Sequence, residues 1–263
     1  MKKFLIYVFL IYMLVSSSAF AADIDLGEGY HVPQNFSSVL IASSDGTAIQ
    51  NAVNNIQSGG TIFLSGNFLL TKTINIKKNL SIKGLENAVL HRVTSNDRVI
   101  RCQGDITLES LDISGGWSTN GGGIKIDGGT VIMTNCKIHD NVAVLGGGGI
   151  HSQAKTLTLT SCDISNNLVL FAGGGISFIG GTVTIDDCNI SNNESSQLYG
   201  GGIGASGTTI TMNNSKITGN TAKTNGGGFY ISVKTVLTAT SCDISGNQPE
   251  DYYVDNGSTY NAE

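Results

Sequence analysis

The residues best suited to chemistry in this chain are its cysteines, which return in one recurring phrase. The phrase reads CKIHDN, CDISNN, CNISNN and CDISGN from Cys136, Cys162, Cys188 and Cys242, and a serine opens a fifth copy, SKITGN. Zinc sites and redox pairs place two cysteines close together in the chain, commonly as CxxC. These cysteines lie at least 26 residues apart, so the spacing favours a column of buried free thiols, which behave as small hydrophobic groups.

Histidines and aspartates form a second set of candidates. His139, Asp140 and His151 could meet around a turn, whereas Asp186 and Asp187 stand apart from them. A polysaccharide lyase needs clustered carboxylates for calcium, and a glycoside hydrolase needs two carboxylates that face each other across the substrate. Neither arrangement is evident, so the sequence predicts no catalytic residue, no metal site and no cofactor. A polysaccharide lyase or hydrolase remains an alternative.

The N-terminus predicts export. Two lysines precede an apolar run from Phe4 to Val15, and small residues end at Ala21. This is the pattern of a secretory signal peptide, residues 1–21, and the run is too short for a membrane span. We therefore expect a secreted or cell-surface protein, cleaved near Ala21, with no transmembrane helix. Without the signal the formal net charge is about −7, which argues against nucleic acid as a partner.

The rest of the chain is built on a repeat of about 26 residues. Two landmarks recur with the same period. One is a glycine cluster followed by an apolar residue, and the other is the phrase Ile-x-x-Asn. The first occurs at Gly123-Ile124, Gly149-Ile150, Gly175-Ile176, Gly202-Ile203 and Gly228-Phe229, and the second ends at Asn141, Asn167, Asn193, Asn220 and Asn247. A fixed period of this length is typical of solenoids.

Each repeat contains short stretches such as TLTLT and TVTID, in which apolar residues alternate with threonine. Alternation with period two predicts strands with one buried face, and no helical pattern fits inside the repeat. The sequence therefore predicts an all-β fold, a single-stranded right-handed parallel β-helix of about eight rungs. The pairs Leu80/Ile82 and Ile106/Leu108 continue the inward pattern upstream.

The predicted organisation is an N-terminal extension, residues 22–44, followed by the β-helix, residues 45–263. A capping helix is expected over 45–57, with Asp45 or Thr47 as its N-cap and Ile49, Ala52, Val53 and Ile56 on its buried face. The regular repeats span about 99–247, and residues 248–263 form a C-terminal cap or tail.

Two resemblances follow from these motifs. The cap helix followed by GGTIFL and LSIKG resembles the start of pectate-lyase-like β-helix proteins. The recurring GGGI and IxxN phrases resemble the repeats of chlamydial-type polymorphic outer membrane proteins, with glycine for alanine and isoleucine for phenylalanine. The second resemblance implies a surface adhesin without enzymatic activity.

The segments between the asparagine and the glycine cluster vary most, and two of them, NVAVLG and NLVLFAG, are apolar. If Ala143 and Val169 face inward, their neighbours face outward as a contact patch in the loops, for a cell-surface protein or a carbohydrate. The predicted contact residues are Trp117, Val142, Val144, Leu168, Leu170, Phe171 and Tyr199. Alternatively, these loops pack into their own coils or under the C-terminal tail.

Threonine dominates the outward strand positions, as in the pairs Thr156/Thr158 and Thr182/Thr184. A flat threonine ladder is what an ice-binding solenoid would present, and ice binding is a further alternative. Threonine also suits any exposed strand, and Ile132 interrupts the pattern.

Overall fold

A computed structural model of the protein describes residues 24–25, 37–42, 46–94 and 96–263. The predicted signal peptide, residues 1–21, and Asp45 lie outside the described residues. Within the described ranges, no helix has both the length and the apolar character needed to cross a membrane.

The described elements are one helix and a long series of short strands. In chain order they are β1 (Ile24–Asp25), β2 (Ser38–Ile41), α1 (Gly46–Asn55), β3 (Thr61–Leu70), β4 (Ile74–Ile76), β5 (Leu80–Arg92), β6 (Ile100–Cys102), β7 (Ile106–Ser114), β8 (Trp117–Asn120), β9 (Ile124–Ile126), β10 (Thr130–Thr134), β11 (Lys137–His139), β12 (Val142–Gly146), β13 (Ile150–Ser152), β14 (Thr156–Thr160), β15 (Asp163–Ser165), β16 (Leu168–Val169), β17 (Ile176–Ile179), β18 (Thr182–Asp186), β19 (Asn189–Ser191), β20 (Glu194–Ser195), β21 (Ile203–Ser206), β22 (Thr209–Asn213), β23 (Lys216–Thr218), β24 (Thr221–Ala222), β25 (Phe229–Ser232), β26 (Val236–Thr240), β27 (Asp243–Ser245), β28 (Tyr252–Val254) and β29 (Thr259–Ala262).

The strands stack into three parallel sheets along the axis of the solenoid, and the third of them covers only part of its length. The first sheet has 16 strands and includes β10, β14, β18, β22 and β26 together with β11, β15, β19, β23 and β27; the second has eight, from β4 to β28; the third has five, β8, β12, β16, β20 and β24. Each strand pairs with the strand one repeat away, as β10 does with β14. The predicted solenoid of about eight coils is confirmed.

The core consists of inward columns that the alternating pattern predicted. One column runs Ile62, Ile82, Leu108, Met133, Leu159, Ile185, Met212 and Ala239 through successive coils, and all of these side chains are buried. The residues after the glycine clusters form another, from Ile124 through Ile150, Ile176 and Ile203 to Phe229. Stacking like residues on like fills the interior with close apolar contacts.

Helix α1 packs against β2, β3 and β4 and buries Ile49, Ala52 and Val53 in the core. Ile56, the first residue after the helix, is also buried, so all four residues lie inside as the sequence predicted. It spans Gly46–Asn55, slightly shorter than the expected 45–57. Thr47 is the second residue of the helix and not its N-cap. The helix covers apolar side chains that an open end of the coil would expose to water.

Single residues with left-handed backbone turn each coil at its corners. Asn135, Ser161 and Asp187 (φ 51° to 52°) mark the corner between β10-type and β11-type strands. A second corner directly precedes the recurring asparagine, for example Asn166 with φ 55°. Asparagine and aspartate tolerate this conformation better than most residues, which explains why these residue types recur at the corners.

Residues 248–263 add two further strands. Strand β28 pairs with β25 in the second sheet, and β29 pairs with β26 in the first. Tyr260 packs edge-on against Phe229, with 5.0 Å between ring centroids. The polar C-terminal segment thus lies over the last regular coil with its aromatic side chains.

Candidate functional site

The recurring cysteines form the buried column expected for packing. Cys136, Cys162 and Cys188 are buried, and Ser215 occupies the same column; all five cysteines are free thiols. The Cys188 backbone N–H donates to Ser215 Oγ at 3.0 Å, which shows how serine substitutes there. Within the column, the hydrogen bond with Cys136 and burial raise the pKa of Cys162 to about 12, whereas the hydrogen bond with Cys162 lowers the pKa of Cys136. Because these thiols are buried and a serine shares their column, they act as small packing groups, and the column has a structural role.

The asparagine landmark is a hydrogen-bonded ladder inside the molecule. Asn193 Nδ2 donates to Asn220 Oδ1 (3.0 Å) and to the Ile164 carbonyl (2.8 Å). Its Oδ1 accepts from the Asn167 backbone N–H and Nδ2, both at 3.0 Å. The five asparagines repeat this pattern, and Asp251 ends it by accepting from Asn247 Nδ2 (3.0 Å).

The last glycine of each cluster lies directly against the asparagine ladder, which leaves no space for a side chain. A Cβ on Gly175 would lie 3.0 Å from Asn193 Nδ2 and 2.8 Å from the Gly202 carbonyl. Non-bonded atoms rarely approach this closely, so a side chain in place of Gly175 would displace the asparagine ladder. The two sequence landmarks therefore belong to a single structural feature.

The candidate acid–base residues do not meet in one place. His139 lies in the first sheet, where its ring nitrogens bond Asp140 Oδ2 (2.7 Å) and Asp112 Oδ1 (2.8 Å). Burial alone would lower its pKa, but hydrogen bonds to Asp140 and Asp112 outweigh burial and raise the pKa above its ordinary value. His151 lies in β13 of the second sheet. Of the pair Asp186 and Asp187, Asp187 is a left-handed corner residue.

The predicted contact residues gather on the outside of the third sheet. Trp117, Val142 and Leu168 are paired partners in β8, β12 and β16. Ala143 and Val169 face inward and are buried, as the hypothesis required. The expectation that the contact residues lie in loops is wrong for four of them, Trp117, Val142, Val144 and Leu168, because the corners hold these segments extended and backbone pairing makes them strands.

We call Trp117, Val142, Val144, Leu145, Leu168, Leu170 and Phe171 the apolar face. Trp117 is 40% exposed and Phe171 37% exposed. The next two coils replace Leu168 by Glu194 and Thr221 in the same column, so the apolar character ends abruptly. The C-terminal strands pair with the other two sheets and do not form a further strand on this face.

Tyr199, the seventh predicted contact residue, lies apart from Trp117. It bridges to Ala172 at the edge of the third sheet and stacks on Tyr230 of the second sheet, with 4.1 Å between ring centroids. Both tyrosines line a groove of about 400 Å³ on the outside of the second sheet. The structure thus separates the predicted patch into the apolar face and one residue of a groove.

The floor of this groove is an outward column of the second sheet. His151, Ser177, Gly204 and Tyr230 are paired partners in β13, β17, β21 and β25. The groove arises because small residues, Ser177 and Gly204, stand between two large rings. Its rims carry the exposed apolar side chains Leu145, Ile179 and Val233.

Three polar side chains converge in the groove beside Gly146. A Cβ built on Gly146 would lie 3.1 Å from His151 Nδ1, 3.1 Å from Ser177 Oγ and 3.4 Å from Asn120 Oδ1. His151 is only 5% exposed, and its enclosed Nδ1 has no hydrogen-bond partner among the described residues. Buried polar atoms almost always have a partner, so this nitrogen is an exception among the described residues.

The groove is electrically neutral near pH 7. Burial lowers the pKa of His151 to about 4, and the nearby Lys125 contributes in the same direction. Lys125 is itself paired with Asp127 at 3.1 Å. None of the described residues that line the groove is Lys, Arg, Asp or Glu. The arrangement therefore offers hydrogen bonds and aromatic surface without charge.

The threonines form in-register columns on the first sheet. Thr156, Thr182 and Thr209 are successive partners, and Thr158, Thr184, Thr211 and Thr238 form the next column. We call these seven residues the threonine face. Ile132 precedes Thr158 in one column, and Val236 follows Thr209 in the other.

Sequence reasoning did not identify the groove. Its signal is the residue that follows each glycine-cluster apolar position, which reads Lys125, His151, Ser177, Gly204 and Tyr230 along the repeats. Aligning the repeats shows the two small residues between two rings. It does not show that Gly146 and Asn120, from neighbouring corners, close the groove from the side.

A search of curated proteins finds no match to this chain. Residues 98–263 match the family model described as right-handed beta helix region. The match agrees with the stacked parallel sheets and confirms the expected right-handed β-helix fold. Since it covers more than half of the sequence, this chain belongs to the family of right-handed β-helix proteins.

Proposed function

We propose that this chain is an exported, non-enzymatic binding protein that attaches to a cell-surface partner through its apolar face. The observation that carries the proposal is a ladder of the exposed Trp117 with the half-buried Val142 and Leu168, extended by the exposed Leu170 and Phe171. Contiguous apolar surface with aromatic residues is typical of interface centres. The signal-peptide pattern of residues 1–21 supports export.

The shape of the apolar face favours a protein surface as its partner over a carbohydrate. Its residues project from a rigid parallel sheet, and polar side chains bound it at Glu194 and Thr221. An apolar centre with a polar rim is how protein interfaces are arranged. A carbohydrate partner would need more hydrogen-bonding groups than these aliphatic side chains supply.

The test compares two double variants of the mature chain. Val144→Asp with Leu168→Asp places two carboxylates on the apolar face, and Glu194 in the Leu168 column shows that the fold accepts an acid there. The matched control, Thr158→Asp with Thr211→Asp, adds the same charge to the threonine face, on the sheet that carries the native Asp186 in a neighbouring column.

The readout is binding of labelled protein to intact cells and to arrayed surface proteins and glycans. We expect the apolar-face variant to lose at least tenfold in affinity and the control to bind as the native protein does. Equal binding by all three proteins, with unchanged melting temperatures, would show that this face is not the contact surface. Binding confined to arrayed glycans would contradict the preference for a protein partner.

A second candidate function is ice binding, which the in-register columns of the threonine face favour. Rungs of a parallel sheet repeat every ~4.8 Å and alternate residues of a strand lie roughly 7 Å apart, so the face is a regular array of methyl and hydroxyl groups. Thermal hysteresis of the native protein that a Thr184→Tyr substitution removes would support this function. Absence of hysteresis in the native protein would exclude it.

A further inference from the structure

We propose that a basic cleft between helix α1 and strand β4 is a binding site for a ligand that carries several phosphate groups. The cleft has a volume of about 920 Å³ and is lined by α1, by the segment 71–78 and by three residues of the next coil. It shares no residue with the apolar face, so the proposal does not depend on the proposed function. Its charge, its unpaired cations and its amide side chains support this ligand class.

Positive charge is concentrated in the part of the chain that forms the cleft. Residues 72–101 contain seven lysines and arginines and two acidic residues, whereas residues 102–263 contain six and fourteen. Of the described residues that line the cleft, one is acidic, Asp97, and four are basic, Lys72, Lys77, Lys78 and Arg101. A concave surface lined by one sign of charge attracts ligands of the opposite sign, so the cleft suits an anion although the chain as a whole is acidic.

The lysines of the cleft have no counter-ion. Lys72 and Lys77 are exposed, and neither forms an ion pair with any other described residue. Lys78 Nζ donates to the carbonyls of Asn54 (2.9 Å) and Ile56 (2.7 Å). These acceptors hold the ammonium group at the end of helix α1, but no carboxylate balances its charge.

Arg101 adds positive charge although it has an acidic partner. Its Nε donates to Asp127, and Asp127 also pairs with Lys125 at 3.1 Å. One carboxylate therefore serves two cations, which leaves a net positive charge beside the cleft. The Nη1 and Nη2 groups of Arg101 form no hydrogen bond within the described part of the chain, and a guanidinium group binds phosphate oxygens through such pairs of donors.

Helix α1 is fixed against β4, so the cleft is formed before a ligand binds. The Asn75 backbone N–H donates to Gln50 Oε1 (2.7 Å), and Gln50 Nε2 donates to the Asn75 carbonyl (3.2 Å). This pair of hydrogen bonds joins the helix to the first strand of the second sheet. Asn51 and Gln103 also line the cleft, and their amide groups supply donors for anionic oxygens. A preformed site loses less conformational entropy on binding.

The number and the spread of the cations favour several phosphate groups over one carboxylate. A phosphate group carries up to two negative charges and three strong acceptor oxygens, whereas a carboxylate carries one charge and two oxygens. Lys72 and Lys77 lie five residues apart in a mainly extended segment, which places their Cα atoms up to roughly 16 Å apart. Such a ligand is either a soluble polyphosphate or the phosphate headgroups of a lipid surface, and both share the chemistry that the cleft recognises.

The experiment is calorimetric titration of the mature protein with tripolyphosphate in buffer without divalent cations. Inorganic phosphate and polyglutamate serve as the single-phosphate and carboxylate comparisons. A second arm measures co-sedimentation with phosphatidylcholine vesicles that contain or lack phosphatidic acid. We expect saturable binding of tripolyphosphate, at least tenfold tighter than that of either comparison, and an affinity that falls as salt is added because ions screen exposed charges.

Two double variants test the position of the site. Lys72→Gln with Lys77→Gln removes two of the four cations and should weaken binding about tenfold or more. The matched control, Lys155→Gln with Lys216→Gln, removes the same charge from two exposed lysines elsewhere on the solenoid, which also form no ion pair with the described residues. We expect the control to change the affinity less than about twofold. Melting temperatures establish that both variants fold.

The outcomes separate the source of the phosphate from the existence of the site. Binding of tripolyphosphate identifies a soluble ligand, and binding confined to vesicles with phosphatidic acid identifies a lipid headgroup, provided that only the cleft variant loses it. Absence of binding to every phosphate probe, equal loss in both double variants, or polyglutamate binding as tight as that of tripolyphosphate would overturn the proposal. The variant Val144→Asp with Leu168→Asp should bind the phosphate probe as the native protein does, so failure of the cleft and failure of the apolar face are distinguishable.

Discussion

Replacing Asn193 by alanine interrupts the asparagine ladder at its centre. The side chain lies in the interior, and its amide donates to Ile164 and Asn220 and accepts twice from Asn167. Alanine leaves the Asn167 backbone N–H and the Ile164 carbonyl without these partners. The Asn167 side chain keeps three bonds: its Nδ2 donates to the Ile138 carbonyl at 2.9 Å, and its Oδ1 accepts from the Asn141 backbone N–H and Nδ2, both at 3.1 Å. It therefore stays anchored to the preceding coil.

The expected cost follows from the orphaned groups. A buried donor or acceptor that loses its partner costs about 1–3 kcal/mol. With the backbone N–H of Asn167 fully orphaned and the Ile164 carbonyl partly so, we expect a loss of about 2–5 kcal/mol. The lower value applies if a water molecule enters the polar space that alanine leaves. This is a large share of the roughly 5–15 kcal/mol that stabilises a typical domain.

The measurement is denaturant unfolding followed by circular dichroism, with hydrogen exchange as a local readout. The control is Asn192→Gly at the adjacent corner residue, which is exposed and left-handed (φ 55°), where the next two coils have Gly219 and Gly246. We expect the control to change stability by less than about 1 kcal/mol. If both variants lose the same free energy of unfolding, or if the Asn167 backbone N–H stays protected from hydrogen exchange in Asn193→Ala, the asparagine ladder does not stabilise the fold in the expected way.

Three other predictions concern titratable groups. Of the five thiols, Cys242 should react first with a thiol reagent in the native protein, because the other four are buried; uniform reactivity would contradict the packing. The raised pKa of His139 stabilises the fold fully below its unfolded pKa of about 6.5 and loses this contribution at higher pH. His139→Gln should therefore destabilise more at about pH 6 than at about pH 8, by about 1 kcal/mol or less, and an equal effect at both would refute the ion pairing. Conversely, the pKa of His151 is lowered to about 4, so the free energy of unfolding should fall as the pH drops from about 6.5 towards 4. The fall should be about 3 kcal/mol at most. If a His151→Gln variant shows the same fall, His151 is not the source of this pH dependence.

Most of the fold could be predicted from the sequence because the inward positions obey one rule in every coil. Alternation gave the strands, the 26-residue period gave the stacking, and the cysteine column followed from serine and leucine at the same place, Ser215 and Leu111. Local propensity, period and packing all agree in such a repeat, so each observation supports the others. The helix α1 was evident for the same reason, since its apolar face has helical spacing.

The third sheet was harder to predict because its strands are very short. Strands β16, β20 and β24 have two residues each, too few for alternation to be visible in the sequence. Their pairing is set by the corner before Asn167 and by the glycine cluster after it, not by their own side chains. The sequence therefore identifies the apolar residues but predicts loops where the structure has short strands.

The groove was missed for a different reason, since it depends on residues that are distant in the chain and unlike one another. His151 and Ser177 come from consecutive coils, while Asn120 and Tyr199 approach from corners of two other coils. No local motif joins them, and only the register of β13 with β17 brings the first two together.

The same register explains why binding surfaces can arise on this scaffold without loss of stability. An inward residue packs against the equivalent residues of the coils above and below it. Because the interior is close-packed, a change in its size disturbs the packing of both neighbouring coils. An outward residue such as Leu168 pairs with Val142 and Glu194 through the backbone, and the side chains at these three positions differ in size and polarity. A groove forms where small outward residues lie next to large ones in neighbouring coils. An apolar patch forms where apolar outward residues are neighbours, as Val142 and Leu168 are. The inward columns therefore specify the solenoid, and departures from repetition in the outward columns specify what it binds.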